Sequence, residues 1–416
     1  MLAATALALA ACQRAAEGSD AVTIRFWAMG AEGEHVQQLV REFERANPGI
    51  DVRVQGIPWT AAHEKLLTAF VGEVTPDVAQ LGNTWVPELE AVDALLPLDP
   101  YIARSPDVDS SGFFGGIWET NVVDGGTYGI PWYVDTRVIF YRKDILAAAG
   151  YDSIPQSWAG WRRAMEAVQR RAGARQWAIF LPTNEWMQPV VLGMQNGSTI
   201  LRDDGRWGAF EQPAFREAFD FYVGLYRAGL APVAGNNDIA NPYQEFARGT
   251  FAMWITGPWN IGEFERRLPP ELEREWGTAT LPGPTGPASG ISNAGGSSLV
   301  IFRRSAHPAA AWRLIEFLSR PDVQRRFYRL TGDLPARKEA WADSALAGNR
   351  YMRAFHEQLQ RVRATPKVPE WEFITSKVID QSEAAIRGGV PNDSALARLD
   401  REVNRILEKR RWLLSR

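Results

Sequence analysis

One cysteine and four histidines are all that the 416 residues offer of the side chains that most often hold metals or pair as nucleophile and base. The lone cysteine is Cys12, which excludes an intrachain disulfide and a paired-thiol metal site. His35, His63, His307 and His356 stand at no metal-ligand spacing, and His63-Glu64-Lys65-Leu66-Leu67 opens like a zinc helix but lacks the second histidine. There is no GxSxG elbow, no phosphate loop ending in Gly-Lys and no GxGxxG turn. A large excess of either charge is also missing. A net charge of −3 argues against nucleic acid as a partner, because phosphate contacts need a concentrated Lys/Arg surface. The tail Lys409-Arg410-Arg411 is too short to change that and reads as a solvated helix end. No apolar run reaches the roughly 20 residues that cross a bilayer. Carboxylates alone are plentiful, so a glycosidase pair is left open by this inventory. No cofactor or metal is expected.

Tryptophan is the excess, with 17 in the chain. Most belong in a core, but so many in one chain suggests that about three or four serve as flat platforms, where an aromatic face meets the slightly positive C–H bonds of a sugar ring. The N-terminus is alanine-rich and apolar and closes on Leu9-Ala10-Ala11-Cys12, followed by the polar stretch Gln13 to Asp20. This fits the apolar segment and small-residue cleavage site of a secretory signal. It also resembles the lipobox of bacterial lipoproteins, in which the cysteine becomes the acylated first residue; a lone cysteine as a small buried hydrophobe is the alternative. No Lys or Arg precedes Cys12, so a start upstream of Met1 is expected.

At this length two lobes are expected rather than one core. Val22 to Phe26 alternates as a strand; Val36, Leu39, Val40 and Phe43 recur at helical spacing; and Asn47-Pro48-Gly49 ends the helix. Ile50, Val52 and Val54 predict a second strand, His63, Leu66, Leu67 and Phe70 one face of a second helix opened by Thr60, and Asp77 to Leu81 a third strand. This β-α-β-α-β start implies an α/β fold with mostly parallel sheets and ligands outside the strand C-termini. Phe215, Phe219, Tyr222 and Tyr226 read as a core stripe. Pro308 and Pro321 fit the first position of helices, Gly332 a helix stop, and Leu281 to Gly296 a long connection. A last helix is predicted from about Ser394 to Lys409.

Several stretches, in order, resemble the extracellular solute-binding proteins of bacterial ABC sugar importers, the maltose-, trehalose- and multiple-sugar-binding group. They are Phe43-Glu44-Arg45-Ala46-Asn47-Pro48-Gly49-Ile50; Pro76-Asp77-Val78 with Gly82-Asn83-Thr84-Trp85; and Tyr128-Gly129-Ile130-Pro131-Trp132-Tyr133-Val134-Asp135, running on through Phe140 to Asp144. Phe246 to Gly249, Ala252-Met253, Gly257-Pro258-Trp259, Gly295 to Ser298, Phe317-Leu318 and Leu334 to Arg337 continue the likeness. The resemblance implies a two-lobed periplasmic-binding-protein fold of type II with ligand in the interlobe cleft. Lobe one is expected over 21–134 plus 283–340 and lobe two over 135–282 plus 341–416, after a signal and linker at 1–20. It further implies no catalysis, a sugar ligand, ABC permease subunits as partners, an exported location, and a monomer held at the membrane through Cys12.

For the site, Glu34 begins a helix after the first strand, where a carboxylate accepts hydroxyls or serves as a first-turn charge. His63 either reaches the cleft or stays on the apolar face with Leu66. Asn83 and Trp85 lie just past a strand end. The resemblance places an aromatic and an acid at Tyr133 and Asp135, and an ionised Asp135 would accept charge-assisted bonds. Trp259, after a Gly-Pro turn, is the expected stacking platform. Gly295 and Gly296 would let backbone approach the ligand or simply serve a turn. Ser297 stands where some relatives carry an aromatic. Arg337 would fork onto hydroxyls or hold a site carboxylate, and Trp371 would cap the cleft from lobe two. Trp27 and Trp59 are rim candidates. The competing readings are an exported glycosidase or lyase, and a receptor for a polyamine, a metal chelate or glycerol phosphate.

Overall fold

A computed structural model describes residues 21–173 and 175–415; Cys12 and the leader lie outside the described residues. Ten strands build the two sheets: β1 (Val22–Met29), β2 (Ile50–Ile57), β3 (Val78–Gly82), β4 (Ile130–Asp135), β5 (Val138–Arg142), β6 (Trp177–Phe180), β7 (Phe251–Thr256), β8 (Trp276–Ala279), β9 (Gly295–Ile301) and β10 (Leu334–Pro335). One sheet runs β10-β4-β9-β3-β1-β2 and the other β8-β5-β7-β6. The alternating start folds as its pattern predicts, with β1 parallel to both β2 and β3. The later strands are less regular. β9 runs antiparallel to β3 and β4, and β5 antiparallel to β7 and β8, because these strands carry the chain between the sheets instead of following a helical crossover within one.

Helices cover both sheets for the reasons their sequences give. In Gly30–Ala46 the buried stripe is Val36, Leu39, Val40 and Phe43, which meets Ile24, Phe26 and Ala28 from one face of β1. Leu66 of Trp59–Val71 covers the opposite face with Met29, Ala79 and Leu81. In the second unit Trp161, Met165, Phe215, Phe219 and Tyr222 pack on Ile139, Ile179, Met253 and Ile255. Pro308 and Pro321 open Pro308–Leu318 and Pro321–Thr331, and Gly332 ends the second with φ +82°. The last predicted helix is two: Asn392–Ile406 stops at Leu407, and Glu408–Leu414 follows.

Three crossings join the sheets. Thr136 and Arg137 link β4 to β5, residues 280–294 link β8 to β9, and the third runs from β10 to helix Trp371–Ile386. The first two are sewn together: Thr136 Oγ1 donates to the Asn293 carbonyl (2.9 Å), Arg137 N to Ser292 Oγ (3.1 Å), and Ser292 Oγ to the Arg137 carbonyl (3.0 Å). Ser292–Asn293 in turn pairs in parallel with Val362–Arg363 of the third crossing. All three therefore lie side by side beneath the cleft.

Glycine is required where β9 leaves this bundle. Gly296 has φ +120°, and a Cβ there would lie 2.3 Å from the Tyr133 carbonyl oxygen. Gly296→Ala is expected to lower stability by about 2 kcal/mol or more, seen as a reduced urea midpoint; an unchanged midpoint would show that the strand relaxes at no cost.

Candidate functional site

The strand ends at the junction carry a continuous arc of aromatic and acidic side chains. At its first end Trp85, in the 3₁₀ turn Asn83–Trp85 that follows β3, lies with its ring centroid 5.1 Å from His63 and 5.7 Å from Trp59. His63 Nε2 sits 2.6 Å from Glu88 Oε2, and that carboxylate raises the imidazole pKa against the opposing effect of burial. Trp59 borders Gly30, where a Cβ would meet the indole at 2.9 Å and the Glu32 carboxylate at 3.1 Å. The arc thus passes from aromatic to acidic.

Glu32 is buried, and its Oε1 accepts the Tyr133 hydroxyl at 2.8 Å. Gln80 Nε2 donates to the same tyrosine oxygen at 3.3 Å, while Gln80 Oε1 accepts from the Met29 backbone at 2.7 Å. Burial and the Glu32 charge hold the Tyr133 hydroxyl protonated, far above its ordinary range. Asp333 stands in the field of Glu32 and Asp135; burial first, then the Glu32 charge, pushes its carboxyl up to about 8.

Asp135 ends β4, with its Oδ1 2.9 Å from Arg137 Nη1. Gly295 makes room for this carboxylate, since a Cβ there would fall 2.5 Å from Oδ1. The Arg137 guanidinium lies 4.6 Å from the ring centroid of Trp259, which is 46 % exposed beyond β7. The far end of the arc is therefore a tryptophan, a cation and a carboxylate in sequence. Across the cleft, Thr84 Oγ1 donates to Glu372 Oε1 at 2.6 Å.

His63, Trp85, Tyr133, Asp135, Trp259 and Trp59 thus lie along the arc. Asn83 is buried beneath it, its Oδ1 accepting from Ser298 Oγ at 3.1 Å and its Nδ2 without a protein partner. Other expected residues lie elsewhere. Glu34 is exposed on the helix, and Glu32 takes the inward position. Helical phase held that signal, because Glu32 is four residues before Val36 and shares its buried stripe. Gly295 and Gly296 serve the packing of β9 on β4, and Ser297 is fully buried, donating to the Leu81 carbonyl at 2.9 Å. Arg337 is buried in the first unit, 5.1 Å from the Phe113 ring centroid, with Nη1 bonded to the Asp107 carbonyl and its backbone N–H to Gln324 Oε1 at 2.8 Å. The Asp107 bond ties the neighbouring loop down, and the guanidinium Nε stays buried without a partner among the described residues. Trp371 is 1 % exposed, edge-on to Trp186 at 5.5 Å in the second core. Trp27 is buried under the Lys65 ammonium. Arg137, Thr84 and Glu372 were not singled out in the sequence, where only the spacing of Arg137 two residues after Asp135 hints at a pair.

The raised Asp333 pKa carries a pH consequence. The group is neutral when folded at mid pH and ionises at about 3.8 when unfolded, so its stabilising contribution is full below that value and is lost as pH rises through about 8. Asp333→Asn is expected to raise the melting temperature relative to wild type at pH 8 and to leave it unchanged near pH 3.5; equal melting temperatures at both would contradict the assignment.

Comparison with known proteins agrees with this architecture. A solved sugar-binding protein MalE from Xanthomonas citri is 49 % identical, superposes with a TM-score of 0.92, and covers 95 % of this chain and 100 % of its own. The diacetylchitobiose-binding protein DasA of Streptomyces coelicolor is 27 % identical over 394 residues, spanning 91 % of this chain and 89 % of that protein. An uncharacterised lipoprotein of Streptomyces antibioticus is 26 % identical over 395 residues, 89 % of this chain and 84 % of its own length. The model of the bacterial extracellular solute-binding proteins matches residues 29–325. The Xanthomonas and Streptomyces coelicolor relatives and the family itself are binding proteins, which sets aside the glycosidase and lyase readings. With two sheets, three adjacent crossings and a site arc between them, the chain belongs to the bacterial extracellular solute-binding protein family.

Proposed function

We propose that this protein captures a neutral di- or oligosaccharide, in the first instance an α-glucoside such as maltose or trehalose, and delivers it to the permease of an ABC importer. The observation that carries the reading is the end of the arc: the partly exposed Trp259 ring beside Asp135 and Arg137. A sugar ring stacks on an indole through its C–H face while its hydroxyls need acceptors and donors at the rim. Trp59, Trp85 and His63 offer a second aromatic surface at the opposite end. An aromatic surface at each end of an acidic floor suits a ligand of two or more rings. A disaccharide of about 23 heavy atoms, at about 0.3 kcal/mol each, reaches roughly −7 kcal/mol, which is low-micromolar affinity. The similarity to sugar-binding relatives supports the same class, although their sugars differ.

In this reading 21–134 plus 283–340 form one rigid lobe and 135–282 plus 341–416 the other, closing about the three crossings. The mature protein works as a monomer, exported and anchored through acylated Cys12, which keeps a non-catalytic receptor beside its transporter. The likeness to a lipoprotein supports that anchor.

Calorimetric titration with maltose, trehalose, a glucan series, glycerol phosphate and spermidine tests the ligand class. At least one sugar is expected to bind at micromolar concentration; binding of glycerol phosphate or spermidine alone would overturn the sugar assignment. Trp259→Ala and Asp135→Ala are each expected to weaken sugar binding by at least about 1 kcal/mol with the fold retained, and unchanged affinity would remove the residue from the site.

A further inference from the structure

Beyond the backbone crossings, the two lobes are held together by side chains that can part. We propose that Thr84 and Glu372 form a latch that retains ligand by holding the cleft shut, acting on closure and not on the ligand itself. This rests on the capture reading for its kinetic arm only.

Each partner is built into a rigid part of its own lobe. Thr84 lies in the 3₁₀ turn directly after β3; Asn83 on one side is bonded to Ser298, and Trp85 on the other packs on Gly82, where a Cβ would lie 3.4 Å from the indole. Glu372 is the second residue of helix Trp371–Ile386, whose Trp371, Ile374 and Val378 are buried in the lobe-two core. A carboxylate in a first helical turn also benefits from the positive end of the helix dipole, which fixes its position. Neither side chain needs to reorganise to meet the other.

The approach to the helix is tethered as well. Five residues before Glu372, Lys367 Nζ bonds the Glu119 carboxylate and, at 2.6 Å, the Val122 carbonyl, both on the lobe-one side. Residues 362–372 therefore act as a strap. It starts in the bundle of crossings through Val362–Arg363, is pinned at Lys367, and ends in the first turn of the lobe-two helix, where Glu372 meets Thr84. The hydroxyl–carboxylate bond is charge-assisted, and such bonds are among the stronger in proteins. Its two atoms come from opposite sides of the cleft, so opening must break it, and the strength lost appears in the release rate.

The test uses stopped-flow tryptophan fluorescence with maltose and trehalose as probes, together with small-angle X-ray scattering of the ligand-free protein. Thr84→Val and Glu372→Ala are each expected to speed release of whichever sugar the wild type binds by about tenfold, with the association rate within about twofold. The double variant is expected to do no more than either single one, and Thr84→Ser, which keeps the hydroxyl, to release at the wild-type rate. Without ligand, both single variants are expected to show a larger radius of gyration than wild type. Wild-type release rates with an unchanged radius of gyration, or single effects that simply add, would overturn the latch. If neither sugar binds the wild type, the capture reading fails in its present form, and the scattering comparison alone decides the latch: an expanded pair of variants supports it and an unchanged pair overturns it.

Discussion

Two residues, Thr136 and Arg137, carry the chain from one sheet to the other, and the structure around the cleft depends on that short crossing. It is too brief to hold a helix or wander, so β4 and β5 must end close together, and the second crossing must lie against it. Reciprocal hydrogen bonds with Ser292 and the bond to the Asn293 carbonyl fix that neighbour in place. The crossing also borders the candidate site, because Asp135 just before it closes β4 and Arg137 within it bridges that carboxylate to Trp259. A change in lobe angle is thus a change in the relation of carboxylate, cation and indole. In the proposed reading, hinge and binding floor are one piece of chain.

The acidic part of the floor is stable only because its charges are managed. Glu32 is satisfied by the Tyr133 hydroxyl, Asp135 by Arg137, and Asp333 by remaining protonated to about pH 8. Three ionised carboxylates at this depth would repel one another with little solvent to screen them. The arrangement leaves hydrogen-bonding oxygen atoms at the junction without an accumulated negative field. That suits the proposed neutral, hydroxyl-rich ligand better than a polyamine cation, which an accumulated negative field would attract.

Much of this was legible in the sequence, for physical reasons that differ by residue. Alternation and helical spacing placed β1, β2 and β3 with their helices, since one buried face per element is a local signal. Proline and glycine marked the starts at Pro308 and Pro321 and the stop at Gly332. Asp135 and Trp259 lie on the arc because strand ends are where α/β proteins expose side chains, while Tyr133, two residues earlier on β4, lies buried against Glu32. Arg337 and Trp371 are buried, which residue type does not show: a fork of donors suits a loop carbonyl as well as a hydroxyl, and an indole suits a core as well as a platform. The parallel order predicted from the first five elements did not extend to β5 and β9, whose direction is set by distant crossings. Thr84 and Glu372, 288 residues apart, had no local signal at all. Only the fold of the whole chain brings them together.

The most direct test of the central claim is a crystal structure of the protein grown with maltose or trehalose. A sugar is expected between the lobes, with one ring stacked on Trp259, hydroxyls on Asp135, and a second ring toward Trp85 and Trp59. A sugar bound outside the cleft, or one in the cleft that touches neither Trp259 nor Asp135, would contradict it.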